Sequence, residues 1–147
     1  MTRVSIQEED FDVGAELALL EALGGGAVAS FTGVVRGEND LVALELHHYP
    51  AMTAAQVGRI VDEATDRWPL LGVRVIHRFG RLKPGEHIVF VGTASRHRAA
   101  ALESCGFLID WLKSEAPFWK KEYFVDGAAN WVEARVEDEV KARGWTR

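Results

Sequence analysis

A chain of 147 residues with a net charge of −5, 48% hydrophobic residues and one cysteine has the size of a single domain and enough apolar mass for a real core. The acidic balance argues against a polyanion such as nucleic acid as partner, and a lone thiol excludes an internal disulfide and makes a cysteine-based zinc site untenable. No apolar run reaches the roughly 18 residues of a membrane-spanning helix, and Met1 to Asp10 turn acidic without a signal-like apolar segment, so a cytoplasmic protein is expected.

Arg3–Gln7 reads as a short edge strand. Asp12 is placed to cap a helix over Val13–Leu23, with Leu17, Ala18 and Leu20 on one stripe. Gly24-Gly25-Gly26 stops it; the Lys-Ser/Thr of a phosphate-binding loop is missing. Ala27–Val35 reads as a strand closed by the polar turn Arg36–Asp40. In Val42–His48, Leu44 and Leu46 alternate with Glu45 and His47, the mark of a second strand. Pro50 is expected to break it and Thr53 to cap a helix over Ala54–Trp68, with Val57, Ile60, Val61 and Ala64 at helical spacing before Pro69.

Val73–Phe79 is rich in strand-forming residues, and Lys83-Pro84-Gly85-Glu86 is a turn. His87–Ala94 is almost continuously apolar, which predicts a strand buried on both faces. Arg98–Ala116 has helical spacing through Ala101, Leu102, Cys105, Leu108, Ile109 and Leu112, and Pro117 ends it. Phe118–Phe124 and Asn130–Ala134 read as short strands around Asp126-Gly127, and Glu137–Arg143 as a last, exposed helical turn. From Val42 onward the order is β-α-β-β-α-β, the ferredoxin-like or split-βαβ pattern, which the flanking strands are expected to extend in one mainly antiparallel sheet. No linker, repeat or low-complexity segment interrupts the chain, so residues 1–147 are read as one α+β domain.

Chemistry concentrates at the ends of the long third helix. Its start carries Arg96-His97-Arg98; its end leads into Lys113-Ser-Glu-Ala-Pro-Phe-Trp-Lys-Lys-Glu122. Local cations on an acidic chain point to a small anionic ligand. Lys113 sits at the edge of the apolar stripe, where a lysine can simply snorkel and complement the helix dipole. Lys120 lies beyond the turn at Pro117. If the following strand runs back along the helix, the two ammonium groups converge and repel unless an anion sits between them. Phe118 and Trp119, next to each other in a strand, face opposite sides, so one of them can line a pocket for a flat heterocycle. His97 and Arg98 open a helix, where backbone amides attract anions; Arg36 leaves a strand into a polar turn. His47 and His48 are adjacent in a strand and point apart, so no metal site is expected there. His77 and His87 lack a ligand-spaced partner. Cys105 reads as an inert buried thiol.

Residues alone therefore reach an anion-binding pocket with candidate catalytic lysines, and no reaction. A resemblance goes further. Phe31-Thr-Gly-Val-Val-Arg36, Leu46-His-His-Tyr-Pro-Ala-Met52, Val75-Ile-His-Arg-Phe-Gly80, Pro84-Gly-Glu86, Ser95-Arg-His-Arg98, Ala116-Pro-Phe-Trp-Lys-Lys-Glu122 and Trp131-Val-Glu-Ala-Arg135 occur in order across residues 27–135. In these motifs the chain resembles the family of large, catalytic subunits of molybdopterin synthase.

The resemblance implies an α/β-hammerhead fold and a homodimer. Each large subunit would bind a small ubiquitin-like sulfur-carrier subunit, making a heterotetramer. The carrier's C-terminal Gly-Gly thiocarboxylate would thread into the pocket, and sulfur would pass to cyclic pyranopterin monophosphate (precursor Z) to make the molybdopterin dithiolene. No cofactor and no metal are implied. Lys113 matches the family's catalytic lysine and Lys120 its second functional lysine. Lys121 and Glu122 share the substrate-contacting segment, His97 and Arg98 match the substrate-binding pair, and Arg36, after Val34 and Val35, matches a further anion contact. The family's pocket lies near the dimer interface, so the resemblance leaves open whether these residues come from one chain or from two. Val34 departs from relatives that carry a basic residue there, and the Glu38–Asp40 turn is short. Two other classes fit parts of the pattern: a non-catalytic ferredoxin-like dimer that binds a phosphorylated metabolite, and an RNA-recognition domain. The second is disfavoured, because His87-Ile-Val-Phe-Val-Gly92 lacks the basic-aromatic signature.

Overall fold

The computed structural model describes residues 3–132 and 136–145. The elements in chain order are β1 (Val4–Gln7), α1 (Val13–Glu21), β2 (Ala27–Val34), β3 (Leu41–His48), α2 (Pro50–Arg67), β4 (Leu70–Arg78), β5 (Gly80–Leu82), β6 (His87–Ser95), α3 (Arg98–Ser114), β7 (Phe118–Phe124), β8 (Ala129–Val132) and α4 (Val136–Arg143). They build two four-stranded sheets, ordered β1-β4-β6-β2 and β5-β3-β7-β8. Among the described residues, every pairing is antiparallel except β1 with β4. This is the expected α+β class.

β6 lies inside the first sheet and, as its apolar run predicts, is covered on both faces. Val89 and Val91 face α2 and α3, packing with Val57, Val61, Ala64, Cys105 and Leu108. Phe90 and Ala94 point the other way, onto Leu20 of α1. Thr93 would strand a hydroxyl on the α3 face, but it donates to the Ala101 carbonyl at 2.7 Å. Leu108 is fully buried, so its truncation to alanine removes about 2–5 kcal/mol. α1 begins as expected: the Ala15 N–H donates to Asp12 Oδ1 at 3.0 Å. It ends at Glu21, and Gly24 adopts the left-handed φ of 82° that a side chain would oppose.

Three expectations fail for physical reasons. The ferredoxin-like order is present, but not as one sheet. In that topology β3 would lie beside β6; here β2 takes the place, pairing with β6 from Ala27↔Ser95 to Val34↔His87. β3 joins β7 in the second sheet. The crossing between sheets is made at Gly80, whose φ of 91° turns the chain out of β4 and into the three-residue strand β5. Pro50 does not merely end β3. It opens α2 at the first helical turn, where its missing N–H costs nothing. Thr53 is therefore no cap: its N–H donates to the Tyr49 carbonyl at 2.8 Å, inside the helix, and its side chain is fully buried. Of the last strand's expected residues, those beyond Val132 lie outside the described ones.

Candidate active site

After Pro117 the chain enters the second sheet as β7, paired with β3 and β8. Alternation then sorts its side chains. Phe118, Lys120 and Glu122 face the cavity between the two sheets, while Trp119 and Lys121 face away. Lys113, in the last turn of α3, reaches the same place from the helix side. Both lysines line two adjoining cavities, of about 50 and 590 Å³. The smaller is an apolar slot walled by Phe31, Val89, Val91, Ile109 and Leu112, with Gly33 at its side. A Cβ on Gly33 would come within 2.7 Å of Val89 Cγ1, so glycine keeps that wall open. The larger is a polar basin bordered by Arg36, Glu38, Ser114 and Glu122. Lys113 Nζ lies 5.9 Å from the Phe31 ring centroid, close enough for a cation–π contact.

Val34 and Val35 lie beside the basin. Val35 is buried with Leu44, Leu46 and Leu82, and its N–H donates to the Glu86 carbonyl at 2.9 Å, so it shapes the wall through backbone and packing. Val34 is exposed. Arg36 pairs loosely with Glu38 at 3.7 Å, both largely in solvent, and such a pair contributes little to stability. It leaves the guanidinium able to turn toward a ligand.

Other expected site residues lie elsewhere. Lys121 is on the outer face of the second sheet, 5.4 Å from the Trp131 ring and 5.5 Å from the Tyr123 ring. His97 and Arg98 sit exposed at the start of α3, where His97 is the N-cap residue and makes no side-chain capping bond. At 1.5 Å per residue, α3 holds Arg98 about 22 Å from Lys113 along its axis. One chain does not bring that pair to the cavity of Lys113 and Lys120.

The residue missed by sequence reasoning is His77. Its ring is buried at the junction of the sheets and lines both cavities. It stacks on Phe118 with centroids 3.7 Å apart and planes 14° apart, joining β4 to β7. Its Nδ1 lies 2.8 Å from the Arg78 carbonyl, and a carbonyl only accepts, so Nδ1 carries the hydrogen. Burial drives its pKa down to about 3; the bond to Arg78 opposes this, and the nearby Lys120, Lys113 and His48 add to it. The imidazole is neutral at physiological pH. A histidine in a strand covered on both sides must find a partner, and that was the usable signal. His48, beside Phe79 and Phe118, is likewise held below its ordinary pKa by burial. Cys105 is buried away from the cavities, and burial pushes its thiol up to about 11. Among the described residues, no group of three or more His, Cys, Asp or Glu side chains gathers to hold a metal, and no helix is long and apolar enough to cross a membrane.

Two ammonium groups at the meeting of an apolar slot and a polar basin also occur in a chain whose relatives agree with one another. The chain is 54% identical, over 97% of its length and 92% of the relative's, to the molybdopterin synthase catalytic subunit of Mesorhizobium japonicum. It is 48% identical to that of Escherichia coli, over 98% of both. Its fold matches the molybdopterin biosynthesis MoaE protein from Burkholderia ambifaria with a TM-score of 0.83 and 45% identity over the whole of both chains. The molybdopterin synthase structure from Staphylococcus aureus matches with a TM-score of 0.81 at 28% identity, over 90% of this chain and 98% of that one. The family model described as MoaE protein covers residues 6–115, which include Arg36, His77 and Lys113, and on these grounds the chain belongs to the MoaE protein family.

Proposed function

We propose that this chain, as one domain over residues 1–147, is the catalytic, large subunit of molybdopterin synthase. In two successive transfers it takes sulfur from the C-terminal thiocarboxylate of a small ubiquitin-like carrier, each transfer leaving a carrier carboxylate, and adds both sulfurs to cyclic pyranopterin monophosphate, forming the dithiolene of molybdopterin in the cytoplasm. The observation that carries the reading is the convergence of Lys113 and Lys120 where the slot opens into the basin. A slot of about 50 Å³ with apolar walls suits a tail of glycines, which have no side chains to exclude. A basin of about 590 Å³ suits a phosphorylated pterin. Lys113 orients and polarises the thiocarboxylate and stabilises charge as sulfur adds. Lys120 binds the substrate and supplies a proton; Arg36, Val34, Val35 and Glu122 border the substrate's seat. With Cys105 buried and its thiol pKa raised to about 11, sulfur comes from the partner.

A structure from Helicobacter pylori is a complex of subunits 1 and 2 of molybdopterin-converting factor, which supports a small-subunit partner here. A homodimer of large subunits, each with a carrier, accounts for the placement of His97 and Arg98: a second chain supplies them to the basin. The exposed Tyr49, Trp119 and Trp131 give the surface the apolar area that such assembly covers. Lys121 acts from that outer face.

The test is to mix the purified chain with thiocarboxylated carrier and precursor Z and follow dithiolene formation. Lys113→Ala and Lys120→Ala should each lower kcat by about 10²–10³-fold while the melting temperature barely moves. Undiminished turnover in Lys113→Ala sinks the reading. Pterin phosphate binding without any carrier-dependent product favours the non-catalytic dimer instead.

A further inference from the structure

We propose that His77 is a positioning residue for Lys120: its imidazole, at the seam between the two sheets, presents Nε2 to the cavity as an acceptor for the Lys120 ammonium. The proposal rests on the sulfur-transfer reading of the site and gives a role to a residue that lies within the motif Val75–Gly80 but is assigned none there.

Three observations place it. The Arg78 carbonyl fixes the hydrogen on Nδ1, so Nε2 is the nitrogen with a free lone pair. The ring lines the slot and the basin, as Lys113 and Lys120 do. Its stacking partner, Phe118, is two residues before Lys120 on the same face of β7, so one contact sets the position of that face against β4. Among the described residues, the titratable groups acting on the ring are Lys120 from β7, Lys113 from α3 and His48 from β3. A protonated ring among these cations would repel the ammonium groups and would have no lone pair to accept from Lys120. A neutral ring offers an acceptor and adds no charge. Burial keeps it neutral, with a pKa near 3. An aliphatic side chain would fill the space but leave the ammonium with one acceptor fewer, while a carboxylate would neutralise it and weaken its hold on phosphate.

The experiment is a double-mutant cycle on the full chain with thiocarboxylated carrier and precursor Z. His77→Phe keeps an aromatic ring against Phe118 and removes Nε2; His77→Gln returns an acceptor near the same point. Loss of one hydrogen bond to a charged group should lower kcat about 10- to 100-fold in His77→Phe, with KM for the carrier changed no more than about twofold. His77→Gln should recover most of the loss, and His77→Phe should add little in a Lys120→Ala background. Multiplying effects of the two substitutions, a His77→Gln as poor as His77→Phe, or a loss confined to KM overturns the proposal. Imidazole nitrogen NMR on the folded wild-type chain reads the same point without turnover. A neutral ring with hydrogen on Nδ1 and an Nε2 signal that moves on Lys120→Ala is expected. The opposite tautomer, or an Nε2 blind to Lys120→Ala, also overturns it. A wild-type chain that makes no dithiolene refutes the sulfur-transfer reading and leaves the NMR result to decide the role of His77.

Discussion

His77 makes the stability of the fold depend on acid in a way that one substitution isolates. In the unfolded chain an imidazole charges near pH 6.5, whereas in the fold it stays neutral to about 3. As pH falls below the unfolded value, the unfolded chain takes up a proton that the folded chain refuses, so stability is lost on acidification. The slope approaches about 1.4 kcal/mol per pH unit. It therefore removes about 2 kcal/mol by pH 5 and, over the whole gap, about 5 kcal/mol. His77→Phe has no proton to take up. Whatever the substitution costs at neutral pH, its curve should be flatter, and the wild-type advantage should shrink by about 2 kcal/mol between about pH 7.5 and 5. Urea titrations at several pH values measure this directly, because slopes are compared and the absolute levels cancel. His48, Asp10 and the other titrating groups are common to both proteins. Parallel curves over that range would refute the account of a buried, neutral His77.

Cys105 should resist thiol reagents in the folded chain and react only on unfolding, since burial raises its pKa to about 11; Cys105→Ala should retain sulfur transfer, and its loss would show that a protein thiol takes part. Among the described residues, the buried hydroxyl of Thr53 has no hydrogen-bond partner. Thr53→Val, of nearly the same shape, should be neutral or stabilising by up to about 1 kcal/mol in chemical denaturation; a loss larger than that would reveal a hidden partner.

Much of this was legible in the sequence because single residues carry strong local rules. The unbroken run of β6, the stop at Pro117 and the alternation of β7 each follow from one preference, and together they bring Lys113 and Lys120 to one cavity. What escaped was decided by tertiary competition. Pro50 both ends a strand and begins a helix, and only the packing of Thr53 and Val57 against the core shows that the helix starts early. The split into two sheets turns on which strand sits beside β6, a choice between β2 and β3 that no local pattern records. His77 stood in a β-rich strand with no ligand-spaced partner in sequence; its partners come from α3, β7 and the carbonyl next to it. The distance from His97 and Arg98 to Lys113 was present all along in the length of α3. It acquires meaning only once the helix is taken as a rigid rod.

The bend at Gly80 has a consequence for how the molecule comes apart. Because β4 continues through this bend into β5, a segment held inside the first sheet leads directly into the edge strand of the second, and the stacked rings of His77 and Phe118 fasten the two a short way off. Neither half can fray without tugging on its sibling. An occupant lodged between Lys113 and Lys120 works as a third stitch across this suture, so amide protons in both halves should slow their exchange together when the cleft is filled.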